Sequence, residues 1–211
     1  MTRYYKAVRP NGTDFYSGAI DYAAALGGGP ITLPETPRPE CCTSDVLHAS
    51  VVATETLIGG SWPCRLFLVE GEPVAQKGHK YGFFSLRVVE EVDAHLALGP
   101  NADAVIGLLD RASQITGAEA GKLAAAWHVA DAAWAATREA AVGASREAAW
   151  DAAGDAACYD AWRATATYAA GDAAREAARA AVVRDLISDE HYQTLAGPWE
   201  SVMGPIFEEE E

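Results

Sequence analysis

The spacing of apolar positions changes character once along the chain, near Gly99. Before it, apolar residues come in short runs: TRYYKAV (2–8), LHASVVA (47–53), CRLFLVE (64–70) and FFSLRVVEEV (83–92). Each run is rich in Val, Leu, Tyr or Phe and is bounded by glycine or proline, so each predicts a strand. RPNG (9–12) and EGEP (70–73) carry turn chemistry. DYAAAL (21–26) predicts one short helix, with Gly27 as its left-handed cap. PITLPETPRPE (30–40) holds four prolines and reads as an extended surface loop.

Beyond Gly99 the period becomes helical. Pro100 and Asn101 open ADAVIGLLDRA, with Val105, Leu108 and Leu109 on one side. Thr116 and Glu119 form a capping box for a second helix, whose buried stripe is Leu123, Trp127, Ala130, Trp134 and Ala141. Gly143 and Ser145 read as an end and a new start. Trp150, Gly154, Ala157, Ala161 and Tyr168 make the next stripe, Gly171 and Asp172 another break, and Ala173, Ala177, Ala180 and Ile187 a third face. The stripes change phase at the glycines, which predicts three helices folded back on one another rather than one rod. Ser188 caps a short helix over 189–196; Gly197 ends it and Pro198 starts a last turn.

These patterns predict an α+β chain. Residues 1–98 form a small domain rich in antiparallel β-structure, 99–204 an Ala/Trp-rich helical bundle, and 205–211 an acidic tail. Thirty of the 70 residues from 118 to 187 are alanine, which favours helix and lets facing backbones approach closely. The tryptophans supply the buried area that alanine lacks. Trp162 stands apart, ~120° round the helix from the Trp150 stripe, and is the candidate for contact with a partner.

Charge narrows the partners. The net charge is −14, and the segment 189–211 has seven acids and no lysine or arginine. No basic patch tracks phosphates, so direct nucleic-acid binding is not expected. MTRYYKAVRP lacks the apolar stretch of a secretory signal, and no apolar run is long enough to span a membrane. Cys41, Cys42, Cys64 and Cys158 do not form a secreted disulfide framework and read as free thiols in a cytoplasm.

YKAVRPNGTDFYSGAIDYA, a cysteine shortly before LHAS, WPCRLFLVE and SLRVVEE together resemble an uncharacterised family of phage proteins, found chiefly in phages of actinobacteria. VVRDLI, HYQTLAGPW and ESVMGPI resemble the ends of the same proteins. The resemblance implies a small N-terminal domain, an Ala/Trp-rich helical region, and a phage origin in the cytoplasm of a bacterial host. It implies no established activity.

Candidate chemistry is sparse. Cys42, His48, Cys64 and His79 match no paired-ligand spacing for zinc. A nucleophilic pair of Cys64 and His48 lacks a helix N-terminus to activate the thiol. No phosphate loop, dinucleotide fingerprint or G-x-S-x-G is present, so no cofactor is expected. The order of parts loosely resembles ADP-ribosyltransferase-like folds, which nominates Tyr5 or Arg9, His48 and Glu90 as ligand-binding residues; a pocket holding His48 with Arg9 or Arg65 would fit a ligand-binding module. Three function classes follow. The first is a non-enzymatic interaction protein, acting on a host or phage protein through the bundle, in counter-defence or host modulation. The second is a nucleotide- or NAD-binding module in the N-terminal domain. The third is a virion or assembly component. A homo-dimer through the bundle fits all three.

Overall fold

The computed structural model describes residues 2–142 and 146–207, with side chains described outside 131–142. The chain divides into two compact units, Met1–Ala97 and Leu98–Glu211. The architecture is α+β: an antiparallel sheet in the first unit and helices in the second.

The first unit is built on seven strands. They are β1 (Arg3–Val8), β2 (Ile31–Thr32), β3 (Leu47–Ser50), β4 (Arg65–Glu70), β5 (Pro73–Lys77), β6 (Lys80–Phe83) and β7 (Ser85–Val92), in the spatial order β2-β7-β4-β1-β3-β6-β5. Alternation along each strand sets one packed face. Tyr4, Val8, Leu47, Phe67, Phe83 and Val88 cluster there against Tyr22. β1 pairs with β4 along its whole length, Arg3 opposite Glu70 to Val8 opposite Arg65. With β3 it shares a single registered pair, Tyr5 opposite Ser50.

Three sequence expectations change here. Residues 21–26 form successive turns, not a helix. Asp21 bridges Thr13, its Oδ1 accepts from the Ala24 N–H, and Leu26 bonds back three residues to Ala23. Six residues cannot offset the cost of helix nucleation when a strand bridge holds the first of them. The proline-rich loop contributes the two-residue edge strand β2 against β7. The hairpin of β5 and β6 was not foreseen, because both faces of PVAQK are largely exposed and show no alternation.

The second unit has five α-helices among the described residues: α1 (Ala102–Ala112), α2 (Gly117–Val142), α3 (Glu147–Thr165), α4 (Tyr168–Val182) and α5 (Asp189–Met203). The Thr116–Glu119 capping box is present: Thr116 N–H donates to the Glu119 carboxylate and Glu119 N–H to Thr116 Oγ1. α4 is the central helix, packed by α1, α2, α3 and α5. Nearly all of its residues from Ala170 to Val182 are buried, and its many alanines let four neighbours approach one helix closely. Trp127, Trp150 and Trp199 fill the space between helices.

The expected break at Gly171–Asp172 lies earlier. α3 ends where Ala166 adopts a left-handed backbone (φ 53°), and Gly171 sits inside α4. A Cβ at Gly171 would stand 3.2 Å from the Cys158 carbonyl oxygen and sulfur, so its role is close packing. Tyr168 therefore leaves the Trp150 stripe and is exposed. α5 runs through Gly197 and Pro198 without stopping. Leu195, Ala196 and Trp199 share its buried face across that pair, and this packing outweighs the one backbone bond proline removes. Ser188 caps α5 as expected, accepting from the His191 N–H. The expected end and start at Gly143 and Ser145, the Trp134 and Ala141 side chains, and the glutamates 208–211 lie outside the described residues. Among the described residues no helix is long and apolar enough to cross a membrane.

Candidate functional site

Past the Tyr5–Ser50 pair, β1 and β3 part. Both strands then line a cavity of about 590 Å³, β1 with Lys6 and Ala7 and β3 with Leu47, His48 and Ala49. The split between two central strands is what opens the site. Residues 14–22 and 42–46 contribute further walls, and Glu55, Ile58 and Lys80 complete it.

The wall at 14–22 is fixed by its own hydrogen bonds. The buried Asp14 carboxylate accepts from the Ser17 N–H (2.6 Å), the Ser17 hydroxyl (2.8 Å) and the Ile20 N–H (2.9 Å). Burial pushes this carboxyl up, but the bonds from Ser17, Ile20 and Gly18 together hold it below its ordinary value. Arg9 supports the same wall from behind, donating to the Phe15 carbonyl at 2.8 Å. The turn before it is the expected RPNG: Asn11 accepts from Thr13, and Gly12 takes a left-handed φ of 89° that suits glycine.

Two lysines face the cavity. Lys6 stands on the core-facing side of β1, between Tyr4 and Val8 and opposite Phe67, with its Nζ 5.1 Å from the centre of the Tyr22 ring. Burial lowers its ammonium to about 8; Asp14 opposes this shift and Lys80 adds to it. Lys80 begins β6 and places its Nζ 3.7 Å from the Cys42 sulfur. Among the described residues no carboxylate lies within ion-pair distance of either lysine. Both acids in the lining are engaged elsewhere, Asp14 as above and Glu55 with His79 Nδ1 at 2.7 Å.

His48 joins this group. Its Nε2 accepts the Cys42 N–H at 2.9 Å, which leaves the second proton-bearing position at Nδ1. Burial, then the charges of Lys80 and Lys6, lower its pKa to about 4, so the imidazole is neutral near pH 7. Cys42 itself holds a left-handed backbone (φ 71°), which a non-glycine residue adopts at a cost of about 1 kcal/mol or more. The His48 hydrogen bond helps to hold that conformation.

The sequence candidates separate. Tyr5 and His48 line the cavity; Arg9, Arg65 and Glu90 do not. Arg65 makes a bidentate pair with Glu91, both bonds 2.7 Å. Glu90 is exposed on β7, which β4 separates from β1. The ordered parts of a transferase-like layout are therefore not gathered in this cavity. Cys64 is buried, with its thiol pushed up to about 12, and His48 bonds to the Cys42 backbone instead of to it. His79 is turned to Glu55, away from the set with Cys42, His48 and Cys64. Among the described residues no three potential metal ligands converge. Trp162 is exposed on α3, flanked by exposed Tyr159 and followed by exposed Tyr168. Lys6 and Lys80 were missed. The signal for Lys6 was present: YYKAV as an inner strand puts lysine between Tyr4 and Val8 on one face.

Fold and cavity define a class no finer than a small antiparallel β unit with an internal cationic cleft, followed by an Ala/Trp-rich helical unit. Comparison of the chain with family models, with curated proteins and with solved structures finds no match in any of the three.

Proposed function

We propose that residues 1–97 are a small-ligand-binding module whose ligand carries a phosphate or carboxylate on a flat apolar body. One observation carries this reading: Lys6 and Lys80 face the cavity without a carboxylate, while the two acids of the lining are satisfied by other groups. Unpaired charge next to an apolar core is costly unless something compensates it. A ligand anion would do so. The neutral His48 adds a donor at Nδ1, and Tyr5, Phe15 and Tyr22 offer ring surface for the body of the ligand. The volume suits a mononucleotide-sized molecule.

Thermal shift and calorimetry with adenosine 5′-monophosphate, NAD and pyridoxine 5′-phosphate test it, with adenosine and pyridoxine as uncharged counterparts. A phosphate-bearing probe at one hundred times its dissociation constant would add about 2.7 kcal/mol of stability, its uncharged counterpart much less, and Lys80→Met would remove the difference. If charged and uncharged probes act alike, the proposal fails.

A second reading concerns the helical unit. We propose that a phage-encoded chain of this kind also binds a host or phage protein through the end of α3 and the start of α4, where Tyr159, Trp162 and Tyr168 are 56%, 41% and 79% exposed. Aromatic residues of this kind are typical interface anchors. Trp162→Ala would abolish capture of that protein and leave the cavity's ligand response unchanged. Retained capture would remove Trp162 from this role.

A further inference from the structure

The placement of Lys6 asks for more than charge recognition. A central strand places its core-facing side chains among apolar neighbours, and Tyr4, Val8 and Phe67 are such residues here. A lysine in that register breaks the pattern of its own strand. Local rules are most often broken where a site needs the residue. An anion alone could be held by a surface lysine or arginine, which would cost the core nothing. Lys6 instead has its amine against the Tyr22 ring at the cavity wall, with no ion-pair partner among the described residues. Asp14, the nearest acid of the lining, is already filled by Ser17 and Ile20. Asp14 and the face of the Tyr22 ring favour the ammonium, but no ion pair among the described residues fixes this amine in its charged form.

We propose that Lys6 is a covalent anchor: its amine forms a reversible imine with an aldehyde or ketone group on the ligand. This rests on the reading of the cavity as a small-ligand site and names a functional group that the ligand carries beside its anion. The neutral amine adds to the carbonyl carbon and gives a carbinolamine. The carbon–oxygen bond then breaks, the oxygen leaves as water with the two amine hydrogens, and a carbon–nitrogen double bond remains. Addition of water reverses each step. A half-buried lysine lowered to about 8 holds a much larger neutral fraction near pH 7 than a surface lysine does. Lys80 is placed to hold the anionic end while Lys6 reacts.

The chain has four lysines, Lys6, Lys77, Lys80 and Lys122, so the site of reaction can be read directly. The probe is pyridoxal 5′-phosphate, which has an aldehyde and a phosphate on one ring. The full chain is incubated with less than one equivalent at neutral pH, reduced with borohydride, digested and mapped by mass spectrometry. Hydride from the reagent fixes the imine as a secondary amine. The expected result is modification at Lys6 at a rate roughly tenfold or more above Lys77 and Lys122. Lys6→Arg keeps the charge and would lose the adduct, whereas pyridoxine 5′-phosphate, which lacks the aldehyde, would bind the native chain and give none. Modification spread evenly over the lysines, or centred on Lys80, overturns the covalent role. If pyridoxine 5′-phosphate binds the native chain and Lys6 is not trapped, only this inference fails. If it does not bind and no lysine is preferred, the cavity reading fails with it.

Discussion

Replacing Gly154 by alanine sets two effects of opposite sign against each other. Gly154 is buried in the middle of α3. In an open helix, Gly→Ala stabilises by about 1 kcal/mol. Here a Cβ would stand 2.6 Å from Arg179 Nε, 2.8 Å from its Cγ and 3.0 Å from its Cδ. Arg179 has nowhere to retreat. Its Nη1 holds Glu176 at 2.8 Å, its Nη2 holds Asp151 at 3.0 Å, and its guanidinium lies 4.0 Å over the Trp150 ring. Glu176 is only 2% exposed, so moving Arg179 away leaves a buried carboxylate without its cation. Breaking a buried pair costs about 3–5 kcal/mol, and less the propensity gain the net loss is about 2–4 kcal/mol. Gly121 in α2 is the control, because a Cβ there meets nothing within 4 Å; Gly121→Ala should gain about 1 kcal/mol. Urea unfolding followed by far-UV circular dichroism measures both. A Gly154→Ala chain as stable as the native one, or gaining as Gly121→Ala does, would refute the account of Arg179 as a fixed strut.

Two further outcomes follow from the cavity. His48 titrates at about 4 in the folded chain against an ordinary 6.5, so the unfolded chain takes up its proton first. Its stabilising contribution is complete above pH 6.5 and is lost as pH falls towards 4, by about 2 kcal/mol after discounting for the partial exposure of the ring. Urea midpoints across that window should fall less for His48→Gln than for the native chain, and parallel curves would contradict the assignment. Among the cysteines, burial raises Cys41, Cys158 and, up to about 12, Cys64, while Cys42 is exposed at the cavity. Iodoacetamide at mildly alkaline pH should label Cys42 first, and a bound ligand should slow that reaction. Early labelling of Cys64 would show that the β unit opens more readily than its packing implies.

Where local chemistry decides an element, the sequence was enough to place it. α1 runs over ADAVIGLLDRA, and Thr116 and Ser188 cap the helices they were expected to cap. Where tertiary packing decides, it was not. Gly197 and Pro198 are stop signals by propensity, but Trp199 and Leu195 bury the same face on both sides of them. Alanine stripes have little phase information, because alanine fits any face of a crowded helix; the glycine at 171 therefore marks a break in the sequence pattern, whereas the chain turns at Ala166. The cavity was the least legible part. It depends on β1 and β3 sharing one registered pair and then separating, a non-local choice that no spacing within either strand encodes. Tyr5 and His48 were nominated for their residue type and do reach it, whereas Arg9, Arg65 and Glu90 were nominated the same way and do not.

Net charge illustrates the same separation of scales. A chain at −14 is expected to repel anions at a distance, and that argument disfavours a nucleic-acid surface. It does not reach the interior of the β unit. Within a few ångströms the deciding quantity is which charges remain unpaired, since low-dielectric walls strengthen short-range terms and shield the rest. In the cavity the carboxylates are consumed by backbone N–H groups, a hydroxyl and a histidine, and the ammonium groups are left over. An acidic protein thus presents a locally cationic site. The consequence is measurable: anion binding in the cavity should weaken far less with added salt than surface association would, because Lys6 is held against Tyr22 rather than in solvent. A salt dependence as steep as that of exposed ion pairs would place the anion at the rim, on Lys80 alone, and would remove Lys6 from the proposed site.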